Sequence, residues 1–185
     1  AASDVYKRQL QIYESTFSGN ATMDTGSDGG AIASKFYTRI EQSSITGNYT
    51  LGQDSRGGGI SNLYSSVELI QSTVSGNSTQ GLGSDGGGVF GGSSVNVHSS
   101  TIDGNSTAGD HAEGGGIYSS SGGIVRNSTV ANNETLGEYS EGGGIFNSGY
   151  MQIQNSTITG NSTHGTDSLG GGIFTAGGQI TDSII

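Results

Sequence analysis

One position before each Gly-Gly-x-[Ile/Val] element the chain carries Asp28, Arg56, Asp85, Glu113 and Glu141, with Leu169 in the last copy. Carboxylates brought together there would be hard oxygen donors, and Ca2+, which takes about 6–8 oxygens, is the cation they suit. Neither an EF-hand loop nor a calcium-binding nonapeptide accompanies them. Asp28, Asp85, Glu113 and Glu141 are therefore expected to be weak Ca2+ candidates at most. Arg56, with Asp54 nearby and Asp28 and Asp85 one copy away, is the densest grouping of charge, and its simplest role is to neutralise its column. His98, His111 and His164 occupy unrelated repeat positions and read as solvated. The paired carboxylates of a glycoside hydrolase do not occur as a motif. No catalytic or cofactor-binding residue is assigned.

Composition narrows the function classes. The chain has 185 residues with a formal net charge of -10, from 6 Lys+Arg against 16 Asp+Glu. A chain so poor in cations does not neutralise phosphates, so no nucleic-acid partner is expected. It has no basic patch for an anionic membrane and no long apolar run to span one. With no Cys, disulfides, thiolate metal sites and thiol nucleophiles are excluded.

What positions these residues is a repeat. The Gly-Gly-x-[Ile/Val] element ends at Ile32, Ile60, Val89, Ile117, Ile145 and Ile173, in steps of 28, 29, 28, 28 and 28. A second element, [Ser/Thr]-apolar-x-x-Asn, follows the same steps at Phe17, Ile45, Val74, Ile102, Val130 and Ile158. Its Asn falls at Asn20, Asn48, Asn77, Asn105, Asn133 and Asn161. A third column runs through Ile12, Ile40, Leu69, Val97, Val125, Ile153 and, slightly shifted, Ile180. One shared insertion in three columns is the mark of a repeat architecture. Short segments rich in Val, Ile and Thr between Gly, Asn and Ser turns read as strands. The expected fold is all-β: a solenoid of about six 28-residue coils, three short strands per coil, stacked at about 4.8 Å into a rod about 29 Å long. Absent Pro fits a fully laddered backbone. Asn over Asn predicts an amide ladder from Asn20 to Asn161.

Other columns allow surface readings. Phe90, Tyr118, Phe146 and Phe174 follow the inward Ile or Val, so alternation turns them outward as a stripe. That stripe binds sugars or proteins, or is covered by loops and by its own stacking. Thr-Val-Ser and Thr-Ile-Thr segments give hydroxyl rows too irregular for ordering ice, since Asp103 and Ala131 interrupt one of them. Of the Asn-x-Ser/Thr sequons, all but Asn127 and Asn155 are the turn Asn of the repeat. The stretch between the Asn turn and the Gly-Gly element, 106–113 against 162–169, varies most, and variable loops on a rigid scaffold carry specificity.

Residues 1–9 depart from this style and resemble a translated transposase-type sequencing adapter. The repeat domain is placed at 10–185, expected to be a fragment uncapped at both ends and poorly soluble alone. Gly29-Gly30-Ala31-Ile32 and Phe17-Ser18-Gly19-Asn20 resemble the GGA[I/L/V] and FxxN repeats of chlamydial-type polymorphic outer-membrane proteins. Most copies are looser. That resemblance implies a right-handed parallel β-helix of the pectate-lyase-like kind. It also implies an extracellular or outer-membrane-surface location and a non-enzymatic, adhesin-like stalk. Such a stalk would present loops and one face to a protein or glycan on a host or neighbouring cell. The competing expectation is a fragment of a polysaccharide-lyase-like enzyme. A lyase would need a positioned base and Ca2+ on clustered carboxylates, and outside 1–9 the cations are Lys35, Arg39, Arg56 and Arg126.

Overall fold

The computed structural model describes residues 8–185. The adapter-like leader lies, for residues 1–7, outside the described residues, and Gln9 already opens the first strand, Gln9–Tyr13. Among the described residues there is no helix, and every strand pairing is parallel. The chain winds as a solenoid. Coil lies on coil in three sheets, two of them with six strands each.

The largest sheet carries two rows of strands. One row is the Gly-Gly row: Ile32–Ser34, Ile60–Asn62, Val89–Gly91 and Ile117–Ser119. The other is the long-strand row: Gln9–Tyr13, Tyr37–Glu41, Val67–Ile70, Ser94–His98 and Gly122–Arg126. The two rows merge in the last coils as Ile145–Gln154 and Ile173–Thr181. The second sheet is the [Ser/Thr]-apolar-[Ser/Thr] row, from Thr16–Ser18 to Thr157–Thr159. The third is built of two-residue strands directly after the Asn, such as Ser78–Thr79 and Ser106–Thr107. In the sequence those pairs read only as the start of a loop.

The three apolar columns face inward. Ile45, Val74, Ile102 and Val130 are fully buried, as are Ile60, Val89, Ile117, Ile145 and the run Ile40, Leu69, Val97 and Val125. A fourth inward column, Thr38, Val67, Val95, Gly123 and Met151, completes the core. Each buried Val, Leu or Ile contributes about 1.5–3 kcal/mol. No coil holds enough of them to offset its own ordering entropy, so each coil depends on its neighbours.

The shared insertion sits at one corner. Ser34 pairs with Asn62 and Asn62 with Gly91, whereas beyond the corner Thr38 pairs with Val67 and Val67 with Val95. The extra residue therefore lies within 63–66. The buried Asn62 side chain closes this bulge, accepting from Ser65 N at 2.9 Å and donating to Phe36 O at 2.6 Å and Thr38 Oγ1 at 3.1 Å.

Candidate functional site

Three kinds of surface result from this stacking: polar ladders turned inward, an acidic and aromatic strip beside the Gly-Gly row, and an open face on the long-strand row.

The amide ladder is continuous. Asn20, Asn48, Asn77, Asn105 and Asn133 each donate through Nδ2 to Oδ1 of the Asn one coil on, ending at Asn161, at 2.9 Å in every step. The same Oδ1 also accepts the previous Asn backbone N–H at 2.9–3.0 Å. From Asn48 to Asn161 the second Nδ2 hydrogen goes back to the carbonyl of Phe17, Ile45, Val74, Ile102 or Val130. With each amide nitrogen committed and Asn48, Asn77, Asn105 and Asn133 fully buried, these six positions are structural. Asn127 and Asn155, the off-ladder sequons, occupy exposed left-handed corners at φ 51 and 48. A second ladder was not read from the sequence. Ser43, Ser72, Ser100, Ser128, Ser156 and Ser183 each accept, through Oγ, the backbone N–H of the Ser one coil earlier.

Asp28, Arg56, Asp85, Glu113 and Glu141 stack in one column, with a carboxylate accepting from the next coil's backbone at its first and third steps. Arg56 N donates to Asp28 Oδ1 at 2.7 Å, and Glu113 N to Asp85 Oδ1 at 3.0 Å. Among the described residues no three His, Asp or Glu side chains converge on a common point. The Arg56 guanidinium pairs with Asp85 at 3.7 Å rather than with Asp54, and lies over the Phe90 ring at 5.2 Å. Of the two readings of the aromatic stripe, the stacked one holds. Phe90 and Phe146 are only 6% and 7% exposed, because Phe90, Tyr118, Phe146 and Phe174 stack ring on ring at 4.8, 5.1 and 5.3 Å. Arg56 closes the end of that stack where the column gives way to Ser61. His111 and His164 are exposed, His111 stacking on Tyr139 and His164 lying 3.4 Å from Glu134.

The acidic column sets a pH dependence. Burial pushes Asp85 up to about 6, against the opposing Glu113 N–H and Arg56. Burial, then Asp85 and Glu141, push Glu113 up to about 7. A carboxyl raised on folding stabilises below its unfolded pKa, and that contribution is lost as pH rises through the folded value. The melting temperature is therefore expected to fall between pH 5 and pH 8. Glu113→Gln should flatten that slope in melts followed across the range, and an equally steep slope in the variant would refute the assignment.

The open face is the outer side of the long-strand row, where Thr38 and Ile40 point in and Tyr37, Arg39 and Glu41 point out. Arg39 donates to Glu68 Oε2 at 2.6 Å and to Glu41 Oε2 at 2.9 Å, and Tyr37 Oη also donates to Glu68. Bonding to Glu41, and then to Glu68, holds Arg39 protonated. Burial and the Glu68 carboxylate keep the Tyr37 phenol above its usual range. Burial would raise Glu68, but its bonds from Tyr37 and Arg39, with the positive charge of Arg39 and His98, outweigh it and hold the carboxyl below the usual value. This cluster was missed in the sequence, although Arg39 and Glu68 are one repeat step apart. Along the rest of the face lie Asn96, His98, Arg126, Gln152 and Gln154, with Arg126 Nε donating to Gln154 Oε1 at 3.0 Å. Among the described residues no enclosed pocket is present.

A family model described as the right handed beta helix region matches residues 5–182. Comparisons with curated proteins and with solved structures find no match.

Proposed function

Because the chain belongs to the right-handed β-helix family, we propose that it is a non-enzymatic rod of a bacterial surface or secreted protein, working outside the cell and carrying a partner-binding face. The fold is found in surface proteins and enzymes alike, so the choice rests on the groups this rod exposes. The observation that carries the reading is that the densest polar cluster on the open face is spent on itself. Arg39 is divided between Glu41 and Glu68, and Tyr37 is committed to Glu68. A general base needs a pKa near the working pH and a free line to a substrate proton. A protonated guanidinium and a raised phenol offer neither. The likeness of the repeats to polymorphic outer-membrane proteins adds an adhesive role and a partner on a host or neighbouring cell. The acidic charge argues against nucleic acid.

The test is adhesion. Beads coated with the chain should bind a panel of epithelial and bacterial cells, and Asn96→Arg with Gln152→Arg on the open face should release them. Equal binding by that double variant would overturn the reading. The clustering of Tyr37, Arg39, Glu68 and His98 favours one competing reading, a carbohydrate-active enzyme. On uronate polymers, with and without Ca2+, no unsaturated product is expected, and sustained release of product would make this protein a lyase.

No resident cofactor is proposed. Asp28, Asp85, Glu113 and Glu141 lie along the rod, each a coil or more apart, and do not surround one point. Calorimetric titration with Ca2+ is expected to give no heat of binding, with melting unchanged by a chelator. A saturable heat abolished by Glu113→Gln would reverse this.

A further inference from the structure

We infer that the open face around Tyr150 is a platform for an uncharged glycan strand lying along the rod, an inference that rests on the proposed reading of this face as the partner-binding one. Tyr150 stands in register with Gly122 on one side and Gly177 on the other. Neither neighbour has a side chain to cover it, and Tyr150 is 55% exposed. A Cβ at Gly177 would come within 3.9 Å of Tyr150 Cδ2, so the ring lies over a place that glycine leaves empty. A bare aromatic ring offers an apolar face and a polar tip. That combination matches the CH face and hydroxyl edge of a pyranose.

The groups beside it are planar hydrogen-bonding side chains. Gln152 is in register with Gln179, and Gln154 with Arg126, whose Nε already orients the Gln154 amide. Amides carry donors and acceptors together, as sugar hydroxyls require. Successive coils follow at about 4.8 Å, close to the length of one sugar ring. An extended chain along the axis would therefore meet Asn96, Gln152 and Gln179 in one column, interrupted by Ile124, and His98, Arg126 and Gln154 in the next.

Charge selects the kind of glycan. On this face Arg39 and Arg126 together offset Glu41 and Glu68, whereas the whole chain carries a net charge of -10. The field of the rod repels an anionic polymer at a distance, while the locally balanced face accepts a neutral one. A protein partner would need a desolvated apolar centre. The aliphatic side chains facing outward along this face, Ile70 and Ile124, are isolated and half-buried. A flat surface suits a strand better than a compact small molecule.

The test is affinity electrophoresis of the full chain in native gels cast with hydroxyethylcellulose, xyloglucan or galactomannan, with polygalacturonate as the anionic comparison. At least one neutral polymer should retard the protein. Tyr150→Ala should weaken that retardation about tenfold, as expected for an anchoring aromatic, while Tyr150→Phe and the corner variant Tyr64→Ala should retain it. Retardation by none of the neutral polymers, stronger retardation by polygalacturonate, or an unaltered Tyr150→Ala would each overturn the inference. Beads that adhere through the open face while every neutral polymer fails would sink the glycan assignment alone. Beads that never adhere would sink the reading beneath it.

Discussion

Asn105→Ala is expected to lower the unfolding free energy by roughly 2–6 kcal/mol, since each stranded buried donor costs about 1–3 kcal/mol. Asn105 Oδ1 accepts from Asn77 N at 3.0 Å and from Asn77 Nδ2 at 2.9 Å, while its own Nδ2 donates to Asn133 Oδ1 at 2.9 Å and to Val74 O at 3.0 Å. Alanine removes all four bonds at a position with 0% exposure. Asn133 Oδ1 keeps its bond from the Asn105 backbone, so the damage falls on the two Asn77 donors. Asn105→Asp separates the two halves of this account. A carboxylate still accepts from Asn77 but has no hydrogen to give Asn133, so the loss should be large at neutral pH and shrink on acidification, when the acid can donate. Urea titrations at pH 7 and pH 4 measure both. A loss below about 1 kcal/mol for Asn105→Ala would mean that the amide column is not what ties the coils together.

The second large effect belongs to Gly115. A Cβ there would sit 2.3 Å from Glu134 O and 2.5 Å from Gly143 O, both main-chain atoms of the next coil. Neither can move without opening the stack, so Gly115→Ala should cost roughly 3 kcal/mol or more, at the upper end of overpacking penalties. Gly104 is the matched comparison. Its φ is +61 and nothing lies within 4 Å of an added Cβ. Gly104→Ala therefore meets only the left-handed backbone penalty of about 1–2 kcal/mol. In the next coil Asn132 already holds the equivalent place at φ 53. Thermal melts of the pair should show the larger drop for Gly115→Ala, and equal drops would refute close coil approach as the reason for the Gly-Gly element.

Both residues could be picked from the sequence because the repeat exposes them. Equal steps in three columns can be met only if equivalent residues overlie one another, so the inward Ile and Val and the stacked Asn were legible before any coordinate. What was not legible depends on lateral neighbours. Strand alternation turns Phe90 and Phe146 away from the core but leaves open whether the rings stand free or cover one another, and only the stacking distances decide it. Arg56 was legible as the neutraliser of its column, and its guanidinium pairs with Asp85 one coil on. Its seat over the Phe90 ring was not legible, because the two meet only across the stack. The Ser column escaped notice because Ser is common everywhere in this chain, so its recurrence carried no contrast. The cluster of Tyr37, Arg39 and Glu68 was missed for the opposite reason: it occurs once, and a search for periodicity discards what does not recur.

The corner at residues 63–66 has a consequence for how such a gene can change. An added residue is taken up there while Leu69 and Val97, and Ile60 and Val89, remain paired. Each junction between coils presents the same ladders as the last, so unequal recombination that gains or deletes a whole copy would join two compatible surfaces without redesign. Reach would then change in increments of about 4.8 Å, with copy number as the variable on which selection acts.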